Sequence, residues 1–154
     1  MITKKDVLKW IQSQPVATLA TVSFAGMPQL ATVYTDIDEN YYCYLVTRQD
    51  TRKYENLRHT KAVSLSWFDA SRLVTCEISG EAHVVRSGKE VSAIITRLQK
   101  MILEQKSGYW IPPVGQINGS DYVVLRVIPD LVRYADYSST AELDPQPELL
   151  EFLP

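Results

Sequence analysis

The residues best placed to do chemistry lie between Tyr41 and Phe68. A β-branched and aromatic run ends at Thr47, and Asp50-Thr51-Arg52-Lys53 then opens one to two turns of helix. A second strand, Val63–Phe68, follows at once. A helix start presents free backbone N–H groups, and with adjacent Arg and Lys side chains it forms a receptor for a phosphate. The plainer alternative is a surface helix with solvated charges, and these residues alone leave both readings open. The surrounding charge is one-sided: Arg48, Arg52, Lys53, Arg58, His59 and Lys61 face only Asp50 and Glu55.

Other chemistry is missing. The sequence has no nucleophile elbow, no Walker-type phosphate loop and no dinucleotide-binding glycine turn. Its two histidines, His59 and His83, have no carboxylate at a metal-ligand interval. They read as a helix C-terminal cation and an outward strand residue. A phosphate receptor without catalytic side chains implies a borrowed cofactor that performs the chemistry while the protein supplies position and electrostatics.

The elements that must hold this stretch can be read in order. Thr3 caps a helix to Gln14 with Asp6 three residues on, and Pro15 stops it. Val16–Ser23 is apolar on both faces, as for a wall covered on both sides. Gln29–Ile37 and Tyr41–Thr47 are further strands with short turns between them, which indicates an antiparallel meander. Val74 to Val85 alternates: Val74, Cys76, Ile78, Gly80, Ala82 and Val84 share a core face, opposite Thr75, Glu77, Ser79, Glu81 and His83. Ser87 and Glu90 form a capping box before an apolar-striped helix to Ile102. Asp121–Ile128 and Leu131–Tyr137 close the set, broken by Pro129-Asp130. The fold class is mainly β with added α: a six- to seven-stranded antiparallel split β-barrel with flanking helices.

A chain of 154 residues suits one domain, 1–138, followed by a polar C-terminal tail, 139–154, in which Leu149, Leu150 and Phe152 could dock. No apolar run approaches the ~20 residues of a membrane span, and MITKKDVLKWIQSQ lacks the apolar core of a secretory signal. Cys43 and Cys76 sit in strand-like runs, which reads as two buried free thiols in a cytoplasmic protein. A net charge of -2 argues against a nucleic-acid binder and for a local site taking a small anion.

The order of elements, Thr47-Arg48-Gln49-Asp50-Thr51-Arg52-Lys53, Asn56-Leu57, the Gly80 strand and VVLRVIPDLVRYAD together resemble one family. It is the pyridoxamine 5'-phosphate oxidase-like FMN-binding split barrels, and within them the general stress protein 26-like branch. The resemblance covers Lys4 to Ser138. It implies FMN, with Arg52 and Lys53 on the phosphate and Thr51 beside them. It further implies Val46 and Thr47 at the flavin, and the backbone of Ala31, Thr32 and Val33 along the isoalloxazine edge. Thr75 falls where the family often has a flavin-contacting Gln. It also implies a homodimer with FMN at the interface, to which a partner loop adds an aromatic, here Trp110.

The departures set limits. ELDPQPELLEFLP does not match the Arg/His-rich segment with which true pyridoxamine phosphate oxidases hold substrate, and Ala31 stands where an Arg near the flavin would be. Vitamin B6 oxidase activity is therefore not expected. A flavin-dependent oxidoreductase on a small substrate leads. A deazaflavin or haem on the same barrel, or a non-enzymatic flavin-binding or stress module, are the alternatives.

Overall fold

A computed structural model describes residues 1–104, 121–138 and 147–154. Within these, α1 (Lys4–Gln12) precedes β1 (Val16–Val22), β2 (Pro28–Tyr34), β3 (Asp36–Ile37) and β4 (Cys43–Arg48). Then come α2 (Arg52–His59), β5 (Ala62–Asp69), β6 (Val74–Val84), α3 (Gly88–Glu104), β7 (Tyr122–Asp136) and β8 (Glu148–Phe152). All strand pairs are antiparallel, in the order β2-β1-β5-β6-β7-β4-β3, with β8 added on β7. The two ends of this order, β2 and β3, are neighbours in the chain. They are separated only by Thr35, whose N–H bonds the Pro15 carbonyl at 2.9 Å. The sheet therefore curls round until its ends meet at one residue: a split barrel.

Four expectations are corrected. The single strand Gln29–Ile37 is two, because the chain must leave β1 and join β4 at Thr35. The order is not a simple meander, since β4 lies beside the distant β7. Pro129-Asp130 does not break the last strand: the register shifts between Ser79 and Gly80, so that Pro129 and Asp130 form a bulge through which β7 continues. Gly80 is required there, because a Cβ would lie 2.0 Å from the Ile128 carbonyl oxygen. Finally, within the expected polar tail Glu148–Phe152 is a strand, and of the three residues expected to dock Phe152 is buried in the core and Leu150 packs against it.

The core has two parts. Inside the barrel, Leu19, Leu45, Leu65, Trp67, Ile78 and Val127 pack with the buried stripe of α1, Val7, Trp10 and Ile11. Outside it, α3 lays Ile94, Leu98 and Ile102 against Tyr44 and Val124. Arg97–Asp36 at 2.7 Å and Arg126–Glu90 at 3.0 Å hold α3 to β3 and β7. So β4 is covered on both faces, which is why its sequence is apolar or aromatic from Cys43 to Val46. By contrast, β1 is buried on one face only: Thr18 is exposed and Val16, Ala20 and Val22 are half-buried. Alternation in β6 also slips at its end, where Val84 is exposed and Val85 is buried.

Candidate functional site

The chain leaves β4 through a turn built on side chains. Thr51 donates its hydroxyl to the Arg48 carbonyl at 2.8 Å and lies 3.1 Å from the hydroxyl of Thr47. It also accepts from the Tyr54 N–H at 3.4 Å, capping α2. Leu57, on the inner side of α2, joins the barrel core, and its burial contributes about 2 kcal/mol to holding the helix down. Asn56 beside it is 5% exposed and donates to both Thr21 Oγ1 at 2.9 Å and Gln29 Oε1 at 3.0 Å. Thr21 and Gln29 are directly paired across β1 and β2, so one amide ties α2 to the barrel wall.

A cavity of about 270 Å³ opens where these elements meet, lined by Thr21, Gln29, Leu30, Ala31, Thr51, Arg52 and Lys53. Among the described residues Arg48 is paired with Asp50 at 2.6 Å, and Arg58 and His59 with Glu55 at 3.3 and 3.2 Å. Arg52 and Lys53 take part in no such pair. Burial holds the Lys53 ammonium below its ordinary value of 10.5, and an anion in the cavity would restore it. Both cations also sit at the positive end of the α2 dipole, where an anion is favoured. The cavity is below the ~300 Å³ at which sites for whole drug-sized ligands begin, so it fits a phosphate and the chain attached to it.

Of the residues expected from the sequence, Ala31, Thr51, Arg52 and Lys53 meet at this cavity. Thr47 is buried and touches Thr51. Val33 is in the core, Thr32 is exposed on the other face of β2, and Val46 packs toward α3. Among the described residues β2 ends the sheet and pairs with β1 alone, so no described strand covers its outer backbone edge. Thr75 is not brought to the cavity: it lines a separate depression with Glu77, Arg133 and Tyr137. Trp110 lies outside the described residues. Thr21, Gln29 and Asn56 were not singled out as site residues from the sequence. The signal was there for the strand pair, as polar residues at core-facing positions in register with Leu19 and Ala31.

The sequence matches the family model described as pyridoxamine 5'-phosphate oxidase over residues 3–136, and the chain belongs to that family. A search of curated proteins finds no match. Among solved structures it is similar to a protein related to general stress protein 26 of B. subtilis (pyridoxinephosphate oxidase family) from Clostridium acetobutylicum. The two are 17% identical over 99% of this chain and 96% of that one, with a TM-score of 0.66. A pyridoxamine 5'-phosphate oxidase-related, FMN binding protein from Nostoc punctiforme is 11% identical over 96% and 91%, TM-score 0.59. A heme binding protein from Mycobacterium smegmatis is 19% identical over 88% of this chain but 53% of that one, TM-score 0.64. At such identities the likeness is one of fold. Among the described residues no helix is long and apolar enough to cross a membrane, and no three His, Cys, Asp or Glu side chains could hold a metal together.

Proposed function

We propose that this chain is an FMN-binding flavoprotein whose cofactor phosphate sits on Arg52 and Lys53, beside Thr51, at the start of α2. The observation that carries this is the pair of unmatched cations lining one cavity at a helix N-terminus. Arg52 would fork onto two phosphate oxygens and Lys53 would act as a point charge. Thr47 sets the cap by holding Thr51, and the open edge of β2 from Ala31 to Val33 offers backbone groups to the ring. When bound, the flavin supplies the redox chemistry, exchanging hydride at N5 with a small organic partner.

The cavity is too small for the ring, which must lie on the surface beside it. Leu30 at its rim is 72% exposed, and Met27, just before β2, is 62% exposed. Apolar side chains so placed support a homodimer that covers the ring, with Val46, Thr75 or Trp110 reaching it from either protomer. A second reading, haem, is favoured by the heme binding protein of like fold. His59 and His83 are each within 3.2 Å of a carboxylate, Glu55 and Glu81, and either could serve as axial ligand only by leaving it. A deazaflavin, which also carries phosphate, would use the same cations.

The absorption spectrum of protein passed through gel filtration after mixing with FMN tests this. Flavin bands are expected in the wild type. They should be lost in Arg52→Ala/Lys53→Ala, whose affinity falls by roughly a hundredfold or more, since two charge-assisted contacts are worth ~1.5–3 kcal/mol each. A Soret band, or retention of FMN by the double variant, would overturn the reading. Steady-state oxidation of NAD(P)H separates an oxidoreductase from a flavin-binding module.

A further inference from the structure

We infer that Gln29 is an additional phosphate ligand, donating through Nε2, and that Asn56 is the positioning residue that fixes it in that sense. The inference rests on the reading of the cavity as a phosphate site and adds what sets its selectivity.

The argument is one of donors and acceptors. An amide side chain carries two N–H donors on one side and an acceptor oxygen on the other. Asn56 spends its nitrogen on two acceptors at once, Thr21 Oγ1 and Gln29 Oε1, in a buried setting. Gln29 is thereby committed: its oxygen faces Asn56, and Nε2 is the end left for the cavity that Gln29 lines. Thr21 is biased in the same direction: its hydroxyl accepts from Asn56 and keeps its own proton to donate, with one lone pair left over. Thr51 adds no exposed acceptor, since its hydroxyl donates to Arg48 and accepts from Tyr54.

The result is a cavity whose polar side chains are cations and N–H or O–H donors. A phosphomonoester dianion has acceptors only, and its oxygens would be satisfied on every side. A neutral hydroxyl in the same place would find, among these side chains, only the second lone pair of Thr21 to accept its proton. Buried donor sets that match a ligand discriminate strongly against one that lacks the matching group. Asn56 therefore makes the site select flavin phosphate over the unphosphorylated flavin, although it lies behind Gln29 and does not line the cavity.

The test measures dissociation constants for FMN, riboflavin and inorganic phosphate in the wild type, Gln29→Glu, Gln29→Leu and Asn56→Asp. Gln29→Glu keeps the size and the acceptor facing Asn56 but turns a carboxylate oxygen into the cavity. Gln29→Leu should weaken FMN about tenfold and Gln29→Glu by more, with riboflavin unchanged. Asn56→Asp should act in the same direction, because an acceptor at that place requires Gln29 to reverse and present Oε1. Repeating Asn56→Asp in the Gln29→Leu background isolates the share carried through Gln29, which should disappear there. A merely structural role would lower FMN and riboflavin affinity together and leave their ratio fixed.

An unchanged ratio in both Gln29 variants would overturn the inference while leaving the FMN reading intact. If the wild type retained no flavin, the FMN reading would fail and inorganic phosphate would decide. Phosphate binding that weakens in Gln29→Glu would support the donor set, and its absence or indifference to Gln29→Glu would overturn it.

Discussion

The two helices α1 and α2 begin almost alike and end up doing different things. Each has a threonine N-cap followed by two cations: Thr3-Lys4-Lys5 in one, Thr51-Arg52-Lys53 in the other. They differ at the next position. In α1 it is Asp6, which closes a capping box with Thr3 and supplies an anion to the positive end of the helix. In α2 it is Tyr54, and the carboxylate that follows, Glu55, is paired with Arg58 and His59 further along the helix instead of with Arg52 and Lys53. The cations of α1 are also spoken for or solvated. Lys4 donates to the Leu153 carbonyl at 3.2 Å and lies 4.7 Å from the Phe152 ring centroid, and Lys5 is exposed. Lys4 and Lys5 do line a cavity, of about 530 Å³, but Glu39 stands in its wall, whereas the cavity lined by Arg52 and Lys53 has no carboxylate among its lining residues. A capped helix start keeps its cations available for an outside anion when its own carboxylate is spent on other partners.

The most direct way to break this contrast is Tyr54→Asp, which gives α2 the internal carboxylate of α1. FMN affinity should fall about tenfold or more as that carboxylate competes for Arg52 and Lys53, read by titration of flavin fluorescence.

A smaller effect comes from pH. Lys53 is depressed by burial in the free protein, and only its charged form attracts phosphate. FMN affinity should therefore decline as pH rises through that lowered value, starting below the 10.5 of an ordinary lysine. It should level off above the higher value in the complex, and Lys53→Arg should flatten the profile. The same depression means that the free protein gains stability as pH rises from the folded value towards the unfolded one, and FMN should remove that gain.

The smallest change is expected from Asp6→Asn. Hydrogen bonds from the Thr3 side chain and backbone hold the Asp6 carboxyl below 3.8. Its contribution is present above the unfolded value and is lost as pH falls through the folded one. The variant should melt slightly lower at neutral pH, the difference should begin to shrink near pH ~4 and vanish once the pH has fallen through the lowered folded value, and FMN affinity should not move.

These contrasts show what was legible in the sequence. Alternation from Val74 to Ala82, the cap at Thr3 and the polar step at Thr51 are local, and each fixed its element. The pairing of β4 with β7 was not legible, because nothing within Cys43–Arg48 states which distant strand will cover its edge. Pro129 was read as a break because proline donates no hydrogen bond, but a bulge opposite Gly80 removes the need for one. The acidic, proline-containing end concealed β8. At the site, Arg52 and Lys53 followed from residue type and family resemblance. Gln29 and Thr21 required the register of β1 on β2, which appears only once the strands are paired. Thr75 was placed at the flavin by counting along the chain, and within one chain it lines a different depression from the one that holds Arg52 and Lys53.

The pairing of β4 also has a bearing on synthesis. Its strand partners are the two-residue β3 and the much later β7. A ribosome adding ~5–20 residues per second takes roughly 4–15 s to travel from Arg48 to Tyr122, whereas collapse of the emerging chain takes microseconds. Through that interval the nascent chain carries an apolar strand with one edge unmatched, a hazard for pairing between neighbouring chains on a polysome. The turn that presents Arg52 and Lys53 hangs from the end of this waiting strand, so the cavity they line is complete only when nearly the whole barrel has been made.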